Sequence, residues 1–568
     1  MAVVHRIRRH KGIGLYLLLA ALLVAPLLTT SLYAAFANRP TAYGKNGMVV
    51  SGSYLSTLIG QQILAKGGNA VDAVVATAAA LGLTEPAMSS PLGVGYLLFY
   101  SPKLREVKAL EFGGRGPASL RLESMTEEAR SSGAKSIAVP GNLAGWVTLL
   151  EQYGTMSKAD VFAPVIDLAE KGFPLTASLA SSINSLAKAP WPTTVAAYSK
   201  KDKTPWAEGD LFKNPDYGKT LRAVATEGLG VVYGGRIGES IAKTVQDQGG
   251  FMTAADLRKF KALWVTPITT TYKGYTVYTI PPPSAGIQVL ETLNILEGYD
   301  LKSIGQNSSK YWHVFMEAVN LAATDRDRYV GDPDFVNVPV KTLLSKENAA
   351  KRRALIDMNK ATTTYPESRQ EGTTHYAVAD RWGNVVAVTN TLSGAWGSQI
   401  VGGETGWILN NAYAYANLKP GHPGSIGPNR RQSWCLSPMM IFDKDGTFFA
   451  TIGSPGGETI QQTQAQVIVN LVDFGMDPQE AVSCPRFAHS WTGQPAFKEP
   501  DFGVLQTGMD PGLDQKVYDE LAAMGHKLSV PKTGYGYTGS NGVIRYSRES
   551  GWYLGGADPR RQLFAIGF

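Results

Sequence analysis

Cysteine is scarce, with only Cys435 and Cys484 in 568 residues. That excludes a disulfide scaffold, and the spacing is not that of a zinc site. Spacing alone does not decide whether the two pair. Histidine is also sparse, seven in all, none paired with another at a helical i, i+4 interval. A histidine-rich metal site is therefore not expected, nor is any organic cofactor. Charge is low as well: charged residues make up 18% of the chain and the net charge is +7. Four of those positive charges are Arg6, Arg8, Arg9 and Lys11, ahead of residue 38, where no acid occurs; the remainder carries about +3. So small and dispersed an excess excludes a nucleic-acid partner. Internal repeats and low-complexity tracts are absent. The chain is 44% hydrophobic, which fits a globular protein, and its length buries a large core without cross-links.

The beginning of the chain is organised differently. After the basic start, Gly12 to Asn38 carries no charge, and Leu15 to Leu28 is almost wholly apolar, interrupted by Pro26. Ala35-Phe36-Ala37 offers the small residues of a signal-peptidase site. Residues 1–37 therefore read as an export signal, either removed or kept as a membrane anchor, since the uncharged run is long enough to cross a bilayer. The body of the protein is expected outside the cytoplasm, periplasmic or extracellular.

In the body, Gln61 to Leu83 reads as two helices broken at Gly67-Gly68-Asn69, the second apolar on nearly every face and hence buried between layers. Residues 92–111 read as two strands. Helical patterns dominate from Gly141 to Leu301, with another helix over Ser308–Arg328. Ala361 to Gly372 reads as an exposed polar loop. A hairpin follows, His375–Asp380 with Val385–Thr391, then a strand pair at Met439–Phe442 and Phe448–Ile452, then a helix at Thr459–Phe474. Strands between helical layers make an α/β layered fold.

Chemistry concentrates where the polar loop meets the hairpin, at Gly372-Thr373-Thr374-His375. A threonine at a new N-terminus carries its own α-amino group as a base for its hydroxyl. The bond before Thr373 follows a glycine, so the hydroxyl meets little bulk in reaching the Gly372 carbonyl. One hydroxyl would thus cut the chain first and a substrate later. A second element, Gly453-Ser454-Pro455-Gly456-Gly457, lies between a strand and a helix. Its glycines expose N–H groups suited to an oxyanion, although a tight turn alone would use the same residues.

These segments, with Gly67 to Ala73, Thr84-Glu85-Pro86, Val139-Pro140-Gly141, Pro281 to Gly286, Gly402-Gly403-Glu404, Leu409-Asn410-Asn411, Gly427-Pro428-Asn429, Pro485-Arg486 and Ala557 to Arg560, resemble the γ-glutamyltransferases over nearly the whole chain. That family consists of self-cleaving N-terminal-nucleophile hydrolases. The resemblance implies a four-layer αββα sandwich built from both halves of a cut precursor. The large subunit would be 38–372 and the small subunit 373–568. It further implies an acyl-Thr373 intermediate, Thr391 as support for the nucleophile, and Gly456 and Gly457 as oxyanion donors.

The acyl-recognition positions depart from the family pattern. An expected Asn is Ser393, and the position after Leu-Asn-Asn is Ala412. The acid that pairs with a glutamyl ammonium is Tyr415, and two carboxylate-binding serines are Trp434 and Cys435. The carboxylate-binding arginine, Arg115, comes two positions late, after Gly113-Gly114. A zwitterionic head buried without partners costs several kcal/mol, so the bulkier, more apolar pocket favours a different acyl group, one lacking the α-ammonium, with Trp396, Trp407 and Trp434 as further aromatic surface. Only fifteen residues separate Asn411 from Gly427, where several relatives carry a longer lid, which suggests an open cleft.

Two substrates compete: γ-glutamyl amides such as glutathione, and a small-molecule or peptide amide with a non-glutamyl acyl group. An inactive homologue acting as a binding protein is the alternative of another class. Persistence of Thr373, Thr391 and both glycines argues against it.

Overall fold

The Asn69 side chain accepts hydrogen bonds from the Val71 and Asp72 amides, and Asp72 accepts from the Asn69 amide at 2.8 Å. This reciprocal cap starts the Ala70–Thr84 helix, and Gly67, at φ +95°, ends the helix before it, Tyr54–Ala65. All fifteen residues of Ala70–Thr84 are buried, the capping Asp72 included, as a helix apolar on nearly every face requires. The computed structural model describes residues 39–186, 188–366, 372–496, 499–532 and 538–568. The basic and apolar segment 1–37 lies outside the described residues; among the latter, no helix is long and apolar enough to cross a membrane.

Two seven-stranded antiparallel sheets form the centre of the unit Thr41–Phe568. One runs Phe564–Gly567, Gly47–Ser51, Gly372–Asp380, Val385–Ser393, Val94–Ser101, Glu106–Phe112, Leu263–Val265. The other runs Ala42–Gly44, Trp552–Ala557, Gly542–Ser547, Phe448–Gly453, Met439–Phe442, Tyr275–Thr279, Ile268–Tyr272. Both sheets draw strands from either side of the Gly372–Thr373 bond.

Strand alternation assigns the layers. Leu97, Phe99, Tyr376 and Val378 pack with the Ala70–Thr84 helix. Their neighbours Leu98, Ala377 and Ala379 meet Met440 and Phe442 of the second sheet. Met439 and Ile441 turn the other way, onto the helices Gly286–Leu296, Ser309–Tyr329 and Thr459–Val472. The order is helix, sheet, sheet, helix: the αββα sandwich. Each large apolar side chain so buried contributes roughly 1.5–3 kcal/mol.

Helices dominate from Gly141 to Leu301 as expected, with strands at Leu263–Val265, Ile268–Tyr272 and Tyr275–Thr279, where the β-branched run Ile268-Thr-Thr-Thr allows them. One expectation needs correction: the 361–372 segment is not all exposed loop. Thr364–Pro366 pairs with residues 502–504, and Tyr365 is buried beside Ala323. The apolar ring was enough to draw a polar stretch into the core. Residues 367–371 lie outside the described residues.

Candidate active site

Gly372 pairs with Ser393, but Thr374 pairs with Asn390, so a register shift brackets Thr373 at the start of its strand. Such a bulge re-aims a side chain out of the regular pleat. The Thr373 hydroxyl is 3.4 Å from Thr391 Oγ1, to which it donates. The Thr391 hydroxyl in turn donates to the Gly372 carbonyl oxygen, and its oxygen accepts the Ser393 amide at 2.7 Å. Two hydroxyls and the carbonyl of the Gly372–Thr373 bond thus form one buried chain. Thr391 polarises that carbonyl while orienting the Thr373 hydroxyl.

Ser393 acts through its backbone. It is buried at φ +82°, a strained conformation for a residue with a Cβ, and this turns its amide onto Thr391. The following amide, of Gly394, donates to Asn411 Oδ1 at 2.8 Å, and Asn411 Nδ2 donates to the Ser131 carbonyl. Asn410 is likewise bonded to the main chain at Leu92 and Ala138. The Leu-Asn-Asn element is therefore scaffolding that holds the loop beside Thr391.

The second glycine element comes from the other sheet. A Cβ at Gly453 would fall 2.0 Å from the His375 ring, so glycine is what lets the two sheets approach two residues from Thr373. Burial pushes the His375 pKa down to about 3, keeping the ring neutral beside Thr389 Oγ1 at 3.0 Å. Gly456 and Gly457 turn the strand into the Thr459–Val472 helix at φ +134° and +59°. A Cβ at Gly456 would lie 2.3 Å from Thr459 Oγ1, so any other residue would disturb the turn.

Glu458 follows directly. Its carboxylate accepts the Tyr415 hydroxyl and is ion-paired with Arg326, both side chains of the pair being at most 9% exposed. The Trp434 ring stacks on Tyr415 at 5.9 Å between centroids, and its indole N–H donates to the Gly113 carbonyl at 2.6 Å. Cys435 is buried beside it, and its carbonyl accepts from Gln461 Nε2. Tyr415, Trp434, Glu458 and Arg326 line one cleft with Asp327 and His422, which stand 3.6 Å apart. The short segment after Asn411 lines this cleft with Tyr415, Asn417 and His422.

Arg115 does not line that cleft, and neither do Thr373, Thr391, Gly456 or Gly457. The Arg115 guanidinium faces the Asn429 carbonyl at 3.4 Å and Glu111 at 3.9 Å. The two glycines before it carry the chain past the expected register. Trp396 and Trp407 also stand apart: they pack on Tyr198 and Tyr217 in the helix-side core. Both cysteines are thiols.

Sequence reasoning missed Glu458 and Arg326. An acid immediately after paired glycines was the available signal for the first; the charged helix end 325–328 was visible, but not its target. It also missed a buried cluster, His313, Glu317 and His526, the one group of metal-ligand type among the described residues. His313 Nδ1 and His526 Nε2 share a hydrogen bond at 2.8 Å, and Glu317 accepts from the amide and hydroxyl of Thr362. These atoms are largely engaged with one another and with the main chain.

The gamma-glutamyltranspeptidase family profile matches residues 56–568. The chain is 35% identical to a glutathione hydrolase proenzyme of Escherichia coli, over 94% of this chain and 97% of that protein. It is 37% identical to an acylase proenzyme, ACY 1, of a Pseudomonas strain, over 86% of this chain and 88% of the other. Among solved structures, a cephalosporin acylase from Bacillus halodurans superposes with a TM-score of 0.85 at 29% identity, covering 94% of this chain and 98% of that one.

Proposed function

The chain belongs to the gamma-glutamyltranspeptidase family and is a hydrolase of the N-terminal-nucleophile type; from that premise we propose that it is an exported, self-processing amidase whose acyl group lacks an α-ammonium. Maturation begins when the Thr373 hydroxyl adds to the Gly372 carbonyl carbon. The C–N bond breaks, nitrogen takes the proton the hydroxyl loses, and an ester remains. Water hydrolyses that ester, leaving Gly372 as a carboxylate and Thr373 with a free α-amine. The 38–372 and 373–568 subunits stay joined through the shared sheets. In turnover the α-amine takes the hydroxyl proton, Thr373 Oγ1 attacks the substrate carbonyl, and Thr391 supports it. The Gly456 and Gly457 amides hold the oxyanion. The leaving amine takes the proton back, and water or an acceptor amine releases the acyl group.

One observation carries the choice of acyl group. The acid beside the glycine turn, Glu458, is already bonded to Tyr415 and neutralised by Arg326. A buried ammonium brought there would compete with a guanidinium for one carboxylate, at a cost of several kcal/mol. The resemblance to an acylase proenzyme and a cephalosporin acylase supports the same reading. The similarity to glutathione hydrolases keeps γ-glutamyl amides as the second reading.

N-terminal sequencing of the purified protein tests maturation, with a fragment starting at Thr373 expected. Matched anilides then test the acyl group: γ-glutamyl, glutaryl and pentanoyl, removing first the ammonium and then the carboxylate. The γ-glutamyl compound should have the lowest kcat/KM. If it has the highest, the second reading replaces the first.

A further inference from the structure

The back of the Gly372–Thr373 junction is closed by the turn that follows the Ala70–Thr84 helix. The Leu392 amide donates to the Met88 carbonyl at 3.2 Å and the Trp396 amide to the Ala87 carbonyl at 2.8 Å. A Cβ on Gly372 would lie 2.7 Å from Met88 Sδ. Glu85 opens this turn, its carbonyl accepting from the Met88 and Ser89 amides. A Cβ on Gly52 would meet Glu85 Oε2 at 2.4 Å and Thr374 Oγ1 at 2.8 Å, so both oxygens crowd one small space behind the strand. Oε2 is closed to water and carries no hydrogen bond among the described residues. On the same side, Arg561 Nη1 donates to the Thr373 carbonyl at 3.4 Å. Glu85, Met88 and Arg561 line a cavity of about 360 Å³.

We propose that Glu85 is a positioning residue for self-cleavage: when ionised, its carboxylate draws the nearby Thr374 hydroxyl and the Arg561 guanidinium toward the junction, so that the Thr373 carbonyl is clamped and the bulge aims the Thr373 hydroxyl at Gly372. This rests on the reading of Thr373 as the nucleophile. No function yet assigned above accounts for a carboxyl buried at this point. Burial is the main cause that raises the Glu85 pKa, to about 7, and the Thr374 hydroxyl and Arg561 draw it back. The groups facing it are Thr374 from the strand, Arg561 from the C-terminal segment and uncharged Gly52. Arg560, which also lines the cavity, is tied to Asp510 and Asp558. The carboxylate share therefore rises with pH through about 7, and the clamp strengthens in the same direction.

The experiment follows cleavage of the full-length chain, freshly synthesised in vitro, by intact mass at pH 6, 7 and 8. Wild-type cleavage should be about tenfold slower at pH 6 than at pH 8, following the ionised fraction of one such carboxyl. Glu85→Gln should be slow throughout and flat with pH, and Glu85→Asp should restore the slope. A side chain that only fills space would leave the wild-type slope in all three. Arg561→Gln leaves the carboxyl in place and should also slow cleavage; it decides the matter if Glu85→Gln shows no cooperative melting transition. Cleavage at wild-type rate in Arg561→Gln, or in a folded Glu85→Gln, overturns the proposal while leaving Thr373 as nucleophile. A wild-type chain that is never cut before Thr373 overturns both.

Discussion

The Thr373 junction and the Tyr415 cleft, linked through the chain by the Gly456-Gly457-Glu458 turn, follow different rules. On the Thr373 side, atoms are held by backbone geometry: a bulge, a positive-φ serine, and glycines at φ +134° and +59°. On the Tyr415 side, they are held by side chains, Tyr415 on Glu458, Glu458 on Arg326, and Trp434 on the Gly113 main-chain carbonyl. On the proposed mechanism the first tolerates almost no change in residue type, because that chemistry needs fixed donors and a fixed hydroxyl. The second is a packed polar network that can be rebuilt if every partner is rebuilt with it. On the proposed function, reaction type and acyl preference are therefore separable.

The strongest test of that contrast is Thr373→Ala. It should leave the Gly372–Thr373 bond uncut by mass and abolish amide turnover. Next, Gly456→Ala forces a Cβ against Thr459 Oγ1 and disturbs a proposed oxyanion donor; kcat should fall by roughly 10²–10³ in protein that is already cut. A smaller effect is expected on the Tyr415 side. Tyr415→Asp with Trp434→Ser supplies an anion and a hydroxyl for a glutamyl head. The ratio of γ-glutamyl to pentanoyl anilide kcat/KM should rise about tenfold, equivalent to about 1.4 kcal/mol, with cleavage before Thr373 intact. A ratio that does not move would mean the acyl preference lies elsewhere. Arg115→Ala should do least: its guanidinium faces Asn429 and Glu111, so kcat/KM should stay within about twofold, measured on the same anilides.

Much of this was legible before any coordinates. The Gly372-Thr373 junction, the hairpin behind it, the all-apolar helix 70–84 and the glycine turn at 453–457 are local features. Each depends on residues within one or two turns of the chain, where period and backbone permissiveness decide the outcome. The register of Arg115 was not legible, because two inserted glycines can be absorbed in several ways. Nor were the packing of Trp396 and Trp407 on Tyr198 and Tyr217, the pull of Tyr365 into the core, or the meeting of His313 with His526, 213 residues apart.

The amino-acid order alone determined the layered α/β fold and the hydroxyl and glycines available for acyl chemistry, since strand and helix periods and φ > 0 positions are properties of short segments. It also showed where the chain departs from the family's acyl-recognition pattern. Tertiary structure decided what took their place. Glu458 and Arg326 lie 132 residues apart and become a buried pair, and Glu85 comes to rest behind a strand that begins almost 300 residues later. A buried charge is governed by whichever partners the fold delivers to it, and no local pattern names them.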